Sequence, residues 1–341
     1  MLDVVQPARS PRTPRQRRSE GCSDRGFASG IQRPQPTGVQ MRLHSSLAAF
    51  TVSAVLLLTG TTAASAAPSS DAASGHQTRA GASAAPRENS TQRPVFFIKG
   101  YTPGDTCGAK WNSAAKLFKK WKGELHRVGF YKTDDRGCDV RIDPGGKGTG
   151  DTSIRDLGRG LAWQIYRMYS SKGQTVDLVG HSMGGLIARA ALAGYNQGDP
   201  SWPKKLLVED VVTLGTPHKA AFAVHCLSDL QCREMYYPNG TFRRWLGKKL
   251  PQAQGGTDWT LIGSNADWSV SAGNAAPTDI GAQHLVRYSD RSGLGHSALR
   301  TTRRGVYPLR YTNNGGAWGS LPRGAAPLRA TMNALYWDSR W

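Results

Sequence analysis

The sequence predicts an α/β fold, a mostly parallel sheet covered by helices on both faces. Two observations predict it. Short apolar runs that read as buried strands alternate along the chain with stretches whose apolar residues recur at helical spacing. One such run, Val176 to Val179, passes through Gly180-His181-Ser182-Met183-Gly184 straight into a helical stretch, so a strand turns sharply into a helix with a serine at the bend.

Taken in order, Pro94 to Ile98 is a short apolar strand that runs into Lys99-Gly100-Tyr101. Residues 109–121 read as a helix and His126 to Lys132 as a strand. From Ile154 to Tyr169 the apolar residues Ile154, Leu157, Leu161, Ile165 and Met168 keep helical spacing, with Asp151, Thr152 and Ser153 as caps. The strand Val176 to Val179 is followed by a helix from Met183 to Gly194 carrying Leu186, Ile187, Ala190 and Ala191. Leu206 to Leu214 is a further buried-type strand that ends at Gly215-Thr216-Pro217-His218. Trp259 to Gly263 and Leu285 to Ser289 complete the set.

The chain has 341 residues, 44 of them Lys or Arg against 24 Asp or Glu, for a formal net charge of +20. Its first 40 residues are rich in Arg, Pro, Gln and Ser and too poor in apolar groups to bury a core. From Met41 the character changes: Arg42 and His44, the apolar run Leu47 to Leu58, then Ala64-Ser65-Ala66. That pattern reads as a secretory signal peptide over 41–66 with an A-x-A cleavage site, and the run is shorter than the about 20 residues of a membrane span. Secretion is therefore expected, with translation from Met41 sufficient for it. Residues 67–93 continue as an Ala/Ser/Gly-rich linker, which places one folded domain over 94–341. Most of the excess charge remains in that domain, as at Lys116, Lys119, Lys120 and Lys122 and at Arg243, Arg244, Lys248 and Lys249, and these read as a solvated basic surface. No nucleic-acid motif surrounds them, so nucleic acid is not an expected partner, whereas an anionic membrane or lipid interface is compatible with the field. Cys22 precedes the leader; Cys107, Cys138, Cys226 and Cys232 follow it, an even number suited to disulfides in an exported chain. Of three possible pairings, the sequence-local one joins Cys107 to Cys138 and Cys226 to Cys232. No C-x-x-C pair, cation-binding loop or dinucleotide fingerprint is present, and no cofactor or metal is expected.

The bend at Ser182 carries the chemistry. A Gly-x-Ser-x-Gly turn between strand and helix needs small residues at Gly180 and Gly184, because the chain passes close to its neighbours there and the serine adopts a strained conformation. The serine then stands at the carboxyl end of the sheet, with the Met183 amide at the helix start as a donor for an oxyanion.

Gly-His-Ser-Met-Gly-Gly at 180–185, followed after the next strand by Leu-Gly-Thr-Pro-His at 214–218, resembles the secreted lipase/esterase branch of the α/β-hydrolase family over most of residues 94–300. The resemblance implies an eight-strand-type sheet and a triad in chain order Ser, acid, His. Ser182 matches the nucleophile. The acid belongs in a loop after a later strand, where Asp267 fits, with Asp290 as the strongest rival. The base belongs after the last strand, where His296 sits between small residues; His284 opens the strand itself. Where many relatives carry His-Gly after the first strand, this chain has Lys99-Gly100-Tyr101, which makes the Tyr101 amide the second oxyanion donor. His181 and His218 are expected to pack or hydrogen-bond near the site. The long insertion 219–257, with Phe222, Met235, Tyr236, Tyr237, Phe242, Trp245 and Leu246, has the composition of a lid or acyl-binding wall, or else of a helical excursion capping the sheet. A secreted, monomeric ester hydrolase acting on a small-molecule or lipid ester is the leading expectation; an acyltransferase with the same triad and a non-catalytic binding protein are the alternatives.

Overall fold

Alternate residues of the first strand point into two different cores, and that alternation organises the molecule. Phe96 and Ile98 join one buried cluster while Val95 and Phe97 join another. The sheet therefore has two dry faces, and both must be covered by helices. The computed structural model describes residues 90–341 apart from 103–106, 135–136, 221–228 and 338–339. In chain order the elements are β1 (Val95–Ile98), α1 (Cys107–Leu117), β2 (Leu125–Gly129), β3 (Val140–Arg141), α2 (Ile154–Met168), β4 (Val176–His181), α3 (Met183–Asn196) and β5 (Val208–Leu214). There follow α4 (Leu230–Tyr236), α5 (Thr241–Leu246), β6 (Asp258–Ser264), α6 (Ala272–Ala275), β7 (His284–Tyr288), β8 (Val306–Asn313), β9 (Gly319–Ala325) and α7 (Pro327–Trp337).

The nine strands of the described residues form one sheet in the order β3-β2-β1-β4-β5-β6-β7-β8-β9. The first seven in that row run parallel; β8 and β9 are antiparallel additions at one edge. One face packs against α2 and α3, which bury Ile154, Leu157, Leu161 and Ile165 on the first and Leu186, Ile187 and Ala190 on the second. The other face packs against α1 through Trp111 and Ala114 and against α7 through Leu328, Ala330, Ala334 and Leu335. The α/β arrangement expected from the sequence is present.

The sequence pattern stopped at the strand 285–289, but the chain continues into β8, β9 and α7. Pro308 sits where the β8–β9 register shifts between Tyr307 and Leu309, and Gly319, Pro322 and Gly324 fall on the edge strand β9. Proline is tolerated at bulges and edges, so residues that read as loop are accommodated in the sheet. Order also starts earlier than Pro94: the Thr91 carbonyl accepts from the amides of Lys122 and Gly123, and Arg93 is buried. The extension 1–40, the leader 41–66 and the rest of the expected linker lie outside the described residues.

Within the insertion, Met235, Phe242 and Leu246 are buried in the core cluster of the α2–α3 face. Glu234 of α4 reaches the start of α2, accepting from the Ile154 amide at 2.6 Å and the Ser153 hydroxyl at 2.8 Å. A carboxylate at a helix N-terminus is a favourable partner for its unpaired amides. Phe222 lies outside the described residues. Cys107 and Cys138 are joined by a disulfide. Cys232 is disulfide-bonded as well; Cys226 falls outside the described residues. No described helix is long and apolar enough to cross a membrane.

Candidate active site

β1 and β4 are neighbours, yet from them the sheet grows in opposite directions, toward β3 on one side and β9 on the other. The carboxyl ends of two such strands flank the crevice where open α/β sheets place their sites. Two segments emerge there, Lys99-Gly100-Tyr101 from β1 and Ser182-Met183 from β4. Ser182 has φ 55° and ψ −127°, a left-handed conformation that costs a non-glycine residue about 1–3 kcal/mol. Its surroundings hold it there: its amide donates to Leu214 O at 2.9 Å, and its carbonyl accepts from the Thr216 hydroxyl at 2.9 Å and the Gly185 amide at 3.1 Å. The β1 loop passes beside it so closely that a Cβ on Gly100 would lie 2.8 Å from the Ser182 Cβ. The Met183 amide opens α3 and so lacks an intrahelical acceptor.

The loops after β6 and β7 bring Asp267 and His296 together. His296 Nδ1 and Asp267 Oδ2 are 2.7 Å apart, with the carboxylate fully buried and the imidazole partly exposed. The other carboxylate oxygen accepts from the Ser269 and Val270 amides at 2.8 and 3.0 Å. Because a carboxylate can only accept, Nδ1 carries the proton and Nε2 of the neutral ring is left with its lone pair. A Cβ on Gly215, just past β5, would lie 3.1 Å from both Asp267 Oδ2 and His296 Nδ1, which seats the pair against the end of β5. His181, the residue before Ser182, donates from Nε2 to the His296 carbonyl at 3.0 Å, and the two rings lie 4.6 Å apart. Burial, then the nearby His296 and Arg300, hold the His181 pKa well below the usual histidine range, so this ring stays neutral.

The rival residues sit elsewhere. Asp290 is exposed at the end of β7. His284 opens β7 at the amino end of the sheet, where it meets Asn313 at 2.8 Å and Asp258 at 3.3 Å. His218 is buried and its Nε2 lies 2.9 Å from the Thr213 hydroxyl.

The contacts of several neighbours of the site carry no signal in the sequence. Lys99 is wholly buried, 2.8 Å from Asp134 and 3.3 Å from the Thr102 carbonyl, with its ammonium over the rings of Phe130 and Tyr131. It thus braces the loop that carries Tyr101 from inside. The Tyr101 hydroxyl donates to Asp229, the cap of α4, so the same loop is tied to the insertion; burial and that carboxylate push the phenol up to about 12. Arg243, expected on a solvated surface, is instead turned inward, donating to the carbonyls of Glu234, Met235, Pro217 and His218. Arg189 of α3 reaches the His218 carbonyl as well, at 3.3 Å. Burial pulls Arg243 down to about 9 and Arg189 to about 10. The two arginines pin the segment after β5 to the insertion through carbonyl acceptors. Tyr236 is half-buried within reach of the Asp267 charge, and burial first, then that charge, raises its pKa. Among the described residues no cluster of three or more His, Cys, Asp or Glu is placed to hold a metal ion.

Residues 161–239, the stretch that contains Ser182, match the family described as PGAP1-like alpha/beta domain. The chain has the mostly parallel, helix-covered sheet of the α/β-hydrolase type of fold. Solved structures similar to this chain include Aspergillus fumigatus lipase B, at 15% identity and TM-score 0.42 over 72% of this chain and 56% of that one. A lipase-esterase related protein from Clostridium acetobutylicum shares 14% identity at TM-score 0.33, over 55% of this chain and 81% of that one. A Bacillus licheniformis lipase in mature form shares 18% at TM-score 0.34, over 56% and 81%. The chain thus spans little more than half the length of the Aspergillus lipase. No curated protein matches it.

Proposed function

We propose that this α/β hydrolase is a secreted, monomeric serine ester hydrolase acting on lipid esters through an acyl-Ser182 intermediate. His296 Nε2 takes the proton of the Ser182 hydroxyl as Oγ attacks the ester carbonyl. The oxyanion so formed turns toward the amides of Met183 and Tyr101. Collapse expels the alcohol, which leaves with the proton held on His296. A water then gives its proton to the same nitrogen, its oxygen adds to the acyl carbon, and Ser182 departs reprotonated, releasing the acid. Asp267 keeps Nδ1 protonated throughout and offsets the charge of the imidazolium. The insertion, through Tyr236, supplies a wall over the site for the acyl or alcohol part of the ester.

The observation that carries this reading is the 2.7 Å bond between a buried Asp267 and a partly exposed His296, at the same sheet end as a strained Ser182. Export is supported by the leader-like segment 41–66 and by the Cys107–Cys138 disulfide, a bond of oxidising compartments. The test combines labelling with turnover. A serine-directed phosphonate should modify Ser182 alone, and Ser182→Ala should abolish both labelling and hydrolysis across a chain-length series of esters. Full hydrolysis by Ser182→Ala would overturn the reading.

A further inference from the structure

We infer that the rim around Ser182 is a docking surface for the face of an anionic lipid aggregate, with Trp268 as its anchor. The inference deepens the hydrolase reading and rests on it for its purpose, though not for its measurement. Among the described residues three large apolar side chains stand exposed: Tyr237 at 36%, Val306 at 48% and Trp268 at 98%. The topology gathers all three at one end of the sheet. Trp268 follows β6, next to Asp267. Tyr237 follows α4, whose cap Asp229 is bonded to Tyr101 above β1 and whose Tyr236 feels the Asp267 charge. Val306 begins β8, which runs antiparallel to β7 with Leu309 opposite Tyr288, so Val306 lies beyond the carboxyl end of β7. This is the end at which Ser182 stands.

Trp268 is not exposed through a loose loop. The turn around it is fixed by the Asp267 amide on the Ser264 carbonyl at 3.2 Å and by the Ser269 and Val270 amides on the Asp267 carboxylate, and Val270 itself is buried. That turn aims residue 268 outward whatever its identity, and a polar residue would serve the turn as well. An indole held there is a large apolar body with one polar N–H, the combination that settles at lipid–water boundaries. The charge around it selects the kind of surface. The connection from β7 to β8 carries Arg291, Arg300, Arg303 and Arg304 against the single acid Asp290. Arg291 and Arg304 are exposed and in no ion pair among the described residues. The nearby acid Asp229 is occupied by Tyr101 and by the start of α4. An anionic face would meet the arginines while the indole and its two apolar companions enter the boundary, which sets the mouth of the site against the lipid.

The experiment uses the Ser182→Ala chain, which cannot turn lipid over, with vesicles of phosphatidylglycerol and phosphatidylcholine in equal parts and with vesicles of phosphatidylcholine alone. The expected result is sedimentation with the mixed vesicles, at least tenfold weaker with the neutral ones, and weakened by added salt. Trp268→Ser should lower partition to the mixed vesicles by about tenfold and abolish quenching by brominated lipid, while its melting temperature stays that of the parent. Replacing Arg291 and Arg304 together by Ser should flatten the salt dependence. Equal partition with and without Trp268, or stronger binding to neutral vesicles, would overturn the docking surface. Phosphonate labelling separates the two readings: vesicle binding without labelling of the chain bearing Ser182 removes the hydrolase and leaves the surface, whereas labelling without vesicle binding does the reverse. With Ser182 present, Trp268→Ser should depress hydrolysis of an aggregated ester far more than of a dissolved one; an equal loss on both would mark a structural effect through Asp267 and sink the proposal.

Discussion

A neutral imidazole carries its proton on only one of its nitrogens, and at His296 the choice is made by Asp267. The carboxylate accepts from Nδ1, while its second oxygen is occupied by two amides, so it cannot swing away. Asn in its place would offer either an acceptor or a donor, and a donor would turn the ring to the wrong tautomer. Asp267→Asn should therefore lower kcat by roughly 10²- to 10⁴-fold on a soluble ester with the fold intact. Asp290→Asn, at an exposed position outside that bond, should change kcat less than about twofold, within the small effects of ordinary surface substitutions. A larger loss at Asp290 would mean that another carboxylate serves the histidine. Gly100 is the other residue where a single atom decides. Its missing Cβ would sit 2.8 Å from the Ser182 Cβ, and backbone on both sides leaves little room to retreat. Gly100→Ala should displace the serine or the Tyr101 amide by a fraction of an ångström, enough to cost on the order of 10²-fold in kcat. Unchanged turnover by that variant would show that the loop yields without moving the serine.

At the scale of elements, the bend from β4 to α3 stores strain that the rest of the sheet supports. Ser182 has φ 55°, and alanine there would keep the strain while glycine would release it. Ser182→Gly should accordingly be more stable than Ser182→Ala by about 1 kcal/mol, or ~2–4 °C in melting temperature for a domain of this size. Equal melting temperatures would mean the backbone at residue 182 is unstrained. That bend was readable in the sequence because turn chemistry and hydrophobic period change at the same residue. The parallel strands and α2 were readable for the same reason, each being an unbroken apolar run or a clean helical stripe. The edge hairpin was not, since Pro308, Pro322 and two glycines mask the strand pattern at positions where the sheet tolerates them. Arg243 was read from its charge as a surface residue, although it is turned against backbone carbonyls, and nothing in the sequence announced that Lys99 is buried against Asp134. Both partners lie far along the chain or in the backbone itself, where no local pattern announces them. In the candidate site, the bend at Ser182 was legible from its turn chemistry and the loops holding Asp267 and His296 were singled out through the resemblance, but the bracing of Tyr101 by Lys99 and Asp229 depends on contacts that only the folded chain creates.

Over the whole molecule the two ends of the sheet differ: the carboxyl end gathers Ser182, Asp267 and His296, and the amino end is clamped by Arg93. Its guanidinium lies 3.0 Å from Asp177 of β4, 3.1 Å from Asp210 and 3.4 Å from Glu209 of β5, and donates to the Leu335 carbonyl of α7 at 3.0 Å. Three acids crowd one cation in a dry place. Burial, only partly offset by Arg93, pushes Asp177 up to about 7. The sign of the pH effect follows. Between the unfolded value near 3.8 and the folded value near 7, the folded chain holds a proton that the unfolded chain has released. The contribution of Asp177 to stability is therefore complete below pH ~4 and is lost as pH rises through ~7. Asp177→Asn should remove that slope, so its stability relative to the parent should increase from pH 5 to pH 8 in urea unfolding. Arg93→Met sharpens the same argument. At pH 8 it takes the cation from an Asp177 that is ionised in the parent, so the acid must stay charged in a dry place or take up a proton there, at a cost of about 3–5 kcal/mol, whereas at pH 5 the acid already holds a proton and the cost should shrink. A penalty for Arg93→Met that is equal or larger at pH 5 would show that the guanidinium acts through its bond to Leu335 and through packing, with the charge of Asp177 playing no part.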